Sequence, residues 1–153
     1  MKNTHLSILA IVLVSALGYM VFIRPGNSAP LPAATTEADA ETPTAYTAGA
    51  YQAFNLAAYK QASADGKTVI LDFHADWCPV CLANDPIITA AFRDNTNTNL
   101  VGFKVNYDKE TDLKREFNIA SQSTIIKAVS GKKTEQLGPG PVTNDSFKSF
   151  LQS

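Results

Sequence analysis

The chain has 153 residues, 45% of them hydrophobic, which leaves room for about one domain of ordinary size and excludes a multidomain assembly. Its 13 Lys and Arg against 14 Asp and Glu give a net charge of -1, so no basic field exists to hold a nucleic-acid backbone. Two cysteines are too few for a disulfide-stapled miniprotein or a four-thiolate zinc site, and Cys78 and Cys81 form a local device three positions apart.

Composition changes sharply along the chain. From Leu6 to Ile23 the run LSILAIVLVSALGYMVFI carries no charge, with Lys2 and His5 before it and Arg24 after it. A helix of that length spans roughly 27 Å, just under a hydrocarbon core of about 30 Å, so residues 1–23 are expected to be an N-terminal transmembrane signal anchor. A cleaved signal peptide has a shorter apolar core and ends in a small-x-small site. Here Ala16-Leu17-Gly18 lies inside the apolar run and Asn27-Ser28-Ala29 is followed by Pro30, which favours an uncleaved anchor. No cysteine stands near this segment to carry a lipid. Lys2 and the amino terminus against the single Arg24 place the domain on the exported side, the bacterial periplasm or cell surface. Residues 24–50 contain Pro25, Pro30, Pro32 and Pro43 with Glu37, Asp39 and Glu41, too few large apolar groups to offset ordering, and are expected to be a flexible linker.

Residues 51–153 remain for a folded domain, with equal numbers of acidic and basic side chains. Periodicity predicts a helix over 53–64, ended by Asp65-Gly66, and then a strand over Thr68–His74 whose near-continuous apolar character suits burial on both faces. A helix over 79–93 follows, kinked at Pro86, which lacks a backbone donor. A second strand at 100–106 and a short helix at 111–117 come next. A hairpin is predicted from strands 124–129 and 134–137 around a turn at Ser130-Gly131-Lys132. The last helix starts after a cap at Thr143 or Asn144 and carries Phe147, Phe150 and Leu151. This order implies an α/β sandwich with a mixed sheet.

The chemistry concentrates at Asp76-Trp77-Cys78-Pro79-Val80-Cys81, where a strand passes into a helix. The unpaired amides of the first helical turn and the positive dipole end favour a thiolate at Cys78, making it the candidate nucleophile. Pro79 suits the first helical position, where its missing N–H costs nothing. Cys81, one turn on, can attack a mixed disulfide at Cys78 and release the partner. A structural zinc half-site needs two further ligands, and the folded domain offers only His74 as a further soft candidate.

The segment VILDFHADWCPVC resembles the active-site segment of thioredoxins, and ADWC with the second cysteine is similar to the C-terminal thioredoxin-like domain of DsbD-type transmembrane reductants. The resemblance covers residues 51–153 and implies a thioredoxin-like three-layer sandwich, a mixed central sheet flanked by helices. It matches Asp72 to a buried aspartate before the motif, Lys104 to its lysine partner, Pro86 to the helix-kinking proline, and Gly138 to a glycine near the last strand. Asp72 also has a physical role: a carboxyl in an apolar strand has its charged form disfavoured, which suits it to take the proton of Cys81. Trp77 is expected to shield the thiolate and help form the docking surface, with Pro79 and Val80 setting the motif.

One departure from the family stands at Gln122-Ser123-Thr124, the groove segment, where Ser123 occupies the position of the usual cis-proline. A non-proline cis bond costs about 2.5 to 4 kcal/mol, so a trans bond before Ser123 is expected, with the Ser123 hydroxyl beside the Cys78 thiolate. The expected function is a membrane-tethered thiol-disulfide oxidoreductase that reduces protein disulfides. It needs no cofactor beyond the Cys78–Cys81 pair and draws on an upstream electron donor. The alternative is a copper or iron-sulfur carrier using Cys78, Cys81 and His74.

Overall fold

A computed structural model describes residues 45–153; the expected anchor at 1–23 and nearly all of the linker at 24–50 lie outside the described residues. Among the described residues no helix is long and apolar enough to cross a membrane.

Nine elements follow in chain order: β1 (Tyr51–Ala53), α1 (Leu56–Ala64), β2 (Thr68–His74), α2 (Pro79–Arg93), β3 (Leu100–Asn106), α3 (Thr111–Phe117), β4 (Thr124–Val129), β5 (Lys132–Leu137) and α4 (Asn144–Gln152). The sheet runs β1-β3-β2-β4-β5, with β1, β3 and β2 parallel, β4 antiparallel to β2, and β5 antiparallel to β4. The first predicted helix starts three residues late. Residues 51–53 instead form an edge strand paired to Gly102, Phe103 and Lys104, and Asn55 caps α1 by accepting a hydrogen bond from the Ala58 amide at 2.9 Å. A strand of three residues shows no readable alternation, which is why periodicity passed over it. The hairpin turn contracts to Ser130-Gly131, both at positive φ (50° and 73°), and Lys132 joins β5. Thr143 caps α4 in a reciprocal capping box with Ser146.

Strand β2 is the spine of the domain. Its side chains alternate between faces, so Val69, Leu71 and Phe73 pack with Tyr59 and Ala62 of α1 and Leu113 and Phe117 of α3. Ile70 faces the other way, with Ile88 and Phe92 of α2 and Phe147 and Phe150 of α4. Two apolar layers thus cover one sheet, as its near-continuous hydrophobic strands require. Helix α2 lies close to the sheet because β3 has glycine beneath Phe92: a Cβ on Gly102 would come within 2.5 Å of that ring. Pro86 lies inside α2 without ending it.

Candidate active site

Strand β2 ends at His74, and the amide of Cys78 donates to the Ala75 carbonyl at 3.0 Å, turning the chain into α2. Cys78 is the N-cap, with Pro79 directly after it, and its sulfur accepts from the Cys81 amide at 3.3 Å. Both cysteines are free and buried, 4% and 2% exposed, against Ala75, Val80 and Tyr107.

The two sulfurs are electrostatically unequal. Desolvation pushes the Cys78 thiol upward, but hydrogen bonds from the Cys81 side chain, the Cys81 and Val80 amides and the Gln122 side chain outweigh it and hold the thiol below its ordinary value. Desolvation pushes Cys81 up to about 11, helped by the hydrogen bond to Cys78 and by the charges of Cys78 and Asp72, while a backbone bond from Ala75 opposes. One helical turn therefore separates a sulfur that ionises readily from one that keeps its proton.

Asp72 lies on the α2 face of β2, 3% exposed, and desolvation raises its carboxyl above the ordinary range. A hydrogen bond from Tyr51 and the charges of His74 and Lys104 pull in the opposite direction. The Tyr51 hydroxyl donates to Asp72 Oδ2 at 2.6 Å. Lys104 stands opposite Asp72 in the β2–β3 register, yet its ammonium pairs with Asp85 at 2.5 Å. The expected Lys104–Asp72 contact is thus replaced, because Asp85, one helical turn beyond Cys81 on α2, meets the lysine first.

Other site expectations also change. Trp77 is 61% exposed, its indole N–H held by Asp108 Oδ2 at 2.8 Å, so the cover over the sulfurs comes from Val80 and Tyr107 rather than the indole. The peptide before Ser123 is trans, as expected, but Ser123 sits at φ 58°. Its hydroxyl donates to the Gly140 carbonyl at 3.0 Å and accepts from Asn84 Nδ2 at 3.1 Å, so it is committed away from Cys78. Gln122, its neighbour, is instead one of the groups that lower the Cys78 thiol. Thr124 caps its own bend by donating to the Ser121 carbonyl at 2.8 Å. Gly138, at φ 86°, lies against this loop, where a Cβ would collide with the Ser123 carbonyl.

His74 is buried, its Nε2 3.4 Å from Asp76 Oδ1 and its Nδ1 without a partner. Among the described residues no group of three or more His, Cys, Asp and Glu side chains converges on a point a metal could occupy.

Four residues of the site escaped the sequence reading. Tyr51 lies in the short edge strand, and Asp108 follows β3 in a loop. Asn84 and Asp85 sit mid-helix, with only the polarity of two adjacent residues in an apolar stretch as a signal. Asn84 is 3% exposed and joins three segments, donating to Ser123 Oγ and the Gly140 carbonyl and accepting from the Val142 amide.

Similarity to known proteins agrees with this geometry. The thioredoxin family profile matches residues 50–153. The thioredoxin of Coprinus comatus is 30% identical over 94 residues, covering 61% of this chain and 89% of the relative. That of Mycoplasmoides gallisepticum is 30% identical over 98 residues, covering 64% and 95%. The crystal structure of Trxlp from Edwardsiella tarda superposes with a TM-score of 0.61 at 31% identity, covering 67% of this chain and 98% of that one. With a sheet of this topology, two free cysteines in one helical turn and a profile match across the whole domain, the chain belongs to the thioredoxin family and is a thiol-disulfide oxidoreductase.

Proposed function

We propose that this protein reduces disulfides of protein partners in an exported compartment, tethered to the membrane by residues 1–23 and spaced from it by residues 24–50. The tether rests on the uncharged run from Leu6 to Ile23 and the proline-bearing segment after it. The resemblance of ADWC and the second cysteine to DsbD-type reductants supports the reducing direction.

The observation that carries the mechanism is the place of Cys78 at the N-cap of α2, its sulfur accepting from the Cys81 amide at 3.3 Å: its thiol is held low, whereas burial pushes Cys81 up to about 11. Cys78 attacks as a thiolate on one sulfur of the partner disulfide; a mixed disulfide forms and the other partner sulfur leaves as a thiolate. Cys81 then gives its proton to Asp72 and attacks the Cys78 sulfur. The Cys78–Cys81 bond forms, the second partner thiolate leaves, and two electrons have passed to the partner. A dithiol donor upstream restores the pair by the reverse exchange. Trp77, exposed and fixed by Asp108, offers an apolar surface beside the nucleophile for the partner.

Replacing the resolving thiol tests this directly. In cells, Cys81→Ser leaves Cys78 holding its partners as mixed disulfides that are released by reductant and identified by mass spectrometry. A variant that accumulates no reducible adduct contradicts a protein substrate. Protease protection of tagged full-length chain in intact cells tests the tether; a domain shielded from external protease after outer-layer permeabilisation contradicts the exported placement.

A further inference from the structure

The buried carboxyl at Asp72 needs a partner, and its register neighbour Lys104 is engaged by Asp85. The group that meets it is a neutral phenol. Tyr51 donates to Asp72 Oδ2 at 2.6 Å, the length of a charge-assisted O–H to carboxylate bond. Its ring is not free to leave, because it stacks on Phe92 at 5.5 Å between centroids with 20° between planes. Phe92 in turn rests over Gly102, the residue paired with Tyr51 across the β1–β3 ladder, where any Cβ would strike it. A chain of contacts from Gly102 through Phe92 to Tyr51 thus aims one hydroxyl at one carboxylate oxygen.

We propose that Tyr51 is the positioning residue of the site's buried acid, holding Oδ2 of Asp72 by its phenol so that the carboxylate persists in an apolar setting with Oδ1 left to receive a proton. This deepens the mechanism above and rests on Asp72 as acceptor of the Cys81 proton. A neutral donor suits the task better than a lysine. A permanent positive charge at this distance would keep Asp72 ionised throughout, whereas a phenol steadies the charged form and still lets it titrate. Tyr51 does not compete for the role of acid, since desolvation and then the charge of Asp72 raise its own ionisation above the ordinary tyrosine range. The Lys104 and Asp85 charges, paired with each other, act on Asp72 with opposite signs, so each opposes the other there.

The test follows the Asp72 carboxyl by carbon-13 NMR in the reduced full chain in detergent micelles, with Asp72→Asn identifying its signal. Tyr51→Phe keeps the ring and its stacking and removes only the hydroxyl. It is expected to raise the Asp72 midpoint by about one to two pH units, the worth of a hydrogen bond to a charged group. The pH profile of mixed-disulfide resolution is expected to move by the same amount. Phe92→Leu, which loosens the phenol without deleting it, shifts the midpoint the same way by less. The double variant Lys104→Met with Asp85→Asn, which removes the charges as a pair, moves it by under about half a unit. An unmoved midpoint in Tyr51→Phe, or a larger shift in the double variant than in Tyr51→Phe, overturns the assignment. If Asp72→Asn resolves mixed disulfides at the unaltered rate, the failure lies with Asp72 as proton acceptor, and the Tyr51 titration still reports separately on the contact.

Discussion

Two buried charge-bearing groups lie on one face of the sheet and are treated in opposite ways. Asp72 on β2 stands opposite Ile125 on β4, and Lys127, two residues further along β4, stands opposite Ile70, so both face α2 and α4. They are 3% and 4% exposed. Lys127 receives a full counter-charge: its ammonium meets the cross-strand Glu135 at 3.0 Å and Ser153 Oγ at 2.7 Å, and lies 5.0 Å from the centre of the Phe150 ring. Asp72 receives a phenol. A buried charge with an ionic partner is fixed in one protonation state and serves the fold; one with a neutral donor stays able to exchange a proton and serves the chemistry.

The contrast breaks most visibly at Asp72. Asp72→Asn retains the shape and a bond to Tyr51 but removes the proton acceptor, so resolution of the mixed disulfide is expected to slow by about 100-fold, the lower range for loss of a general base. Stopped-flow release of a chromogenic thiol from the Cys78 adduct measures it. An unchanged rate removes Asp72 from the mechanism.

At the other pole, the expected effects are on stability alone. Glu135→Gln leaves the buried ammonium without its counter-charge and is expected to lower the urea midpoint, an effect moderated because Glu135 itself reaches solvent. Lys127→Met removes both the charge and its need for a partner, and is expected to change stability by less than about 1 kcal/mol. Reductase turnover should be unaltered in both; a loss of turnover would mean that Lys127 is not the purely structural member of the pair.

The smallest effect separates the two groups by the sign of their pH dependence. Desolvation raises Asp72 above its ordinary value of 3.8, so its contribution to stability is fully present below that value and is lost as pH rises through the folded-state value. Hydrogen bonds from Ser153 and then Lys127 hold Glu135 below its ordinary value of 4.5, so its contribution is present above that value and is lost as pH falls through the folded-state value. Asp72→Asn is therefore expected to gain stability relative to the unaltered chain as pH rises, and Glu135→Gln to close its deficit as pH falls. Thermal melts across acid and neutral pH read both slopes.

What could be read in advance was what lies close in sequence. The apolar β2, the two cysteines at a helix start and an aspartate in an apolar strand are all legible within a few neighbouring residues. What could not be read depends on which side chains the fold brings together. The resemblance pairs Lys104 with Asp72, and the two are register neighbours, but the lysine turns to Asp85 on a different element. Ser123 was found at the groove position, yet its hydroxyl is claimed by Asn84 and Gly140, from far along the chain in both directions. Tyr51 stands in a strand too short to announce itself, and its value to Asp72 emerges only when β1 joins the sheet beside β3.

The central claim, that one helical turn holds a readily ionised sulfur beside one that keeps its proton, is tested most directly by the pH dependence of alkylation at each cysteine of the reduced protein. Mass spectrometry of iodoacetamide adducts resolves the two sites. The expected result is Cys78 modified with a midpoint below the ordinary thiol value of 9.0 and Cys81 protected until the pH approaches about 11. Two cysteines that react together at one midpoint, or Cys81 reacting first, would contradict it.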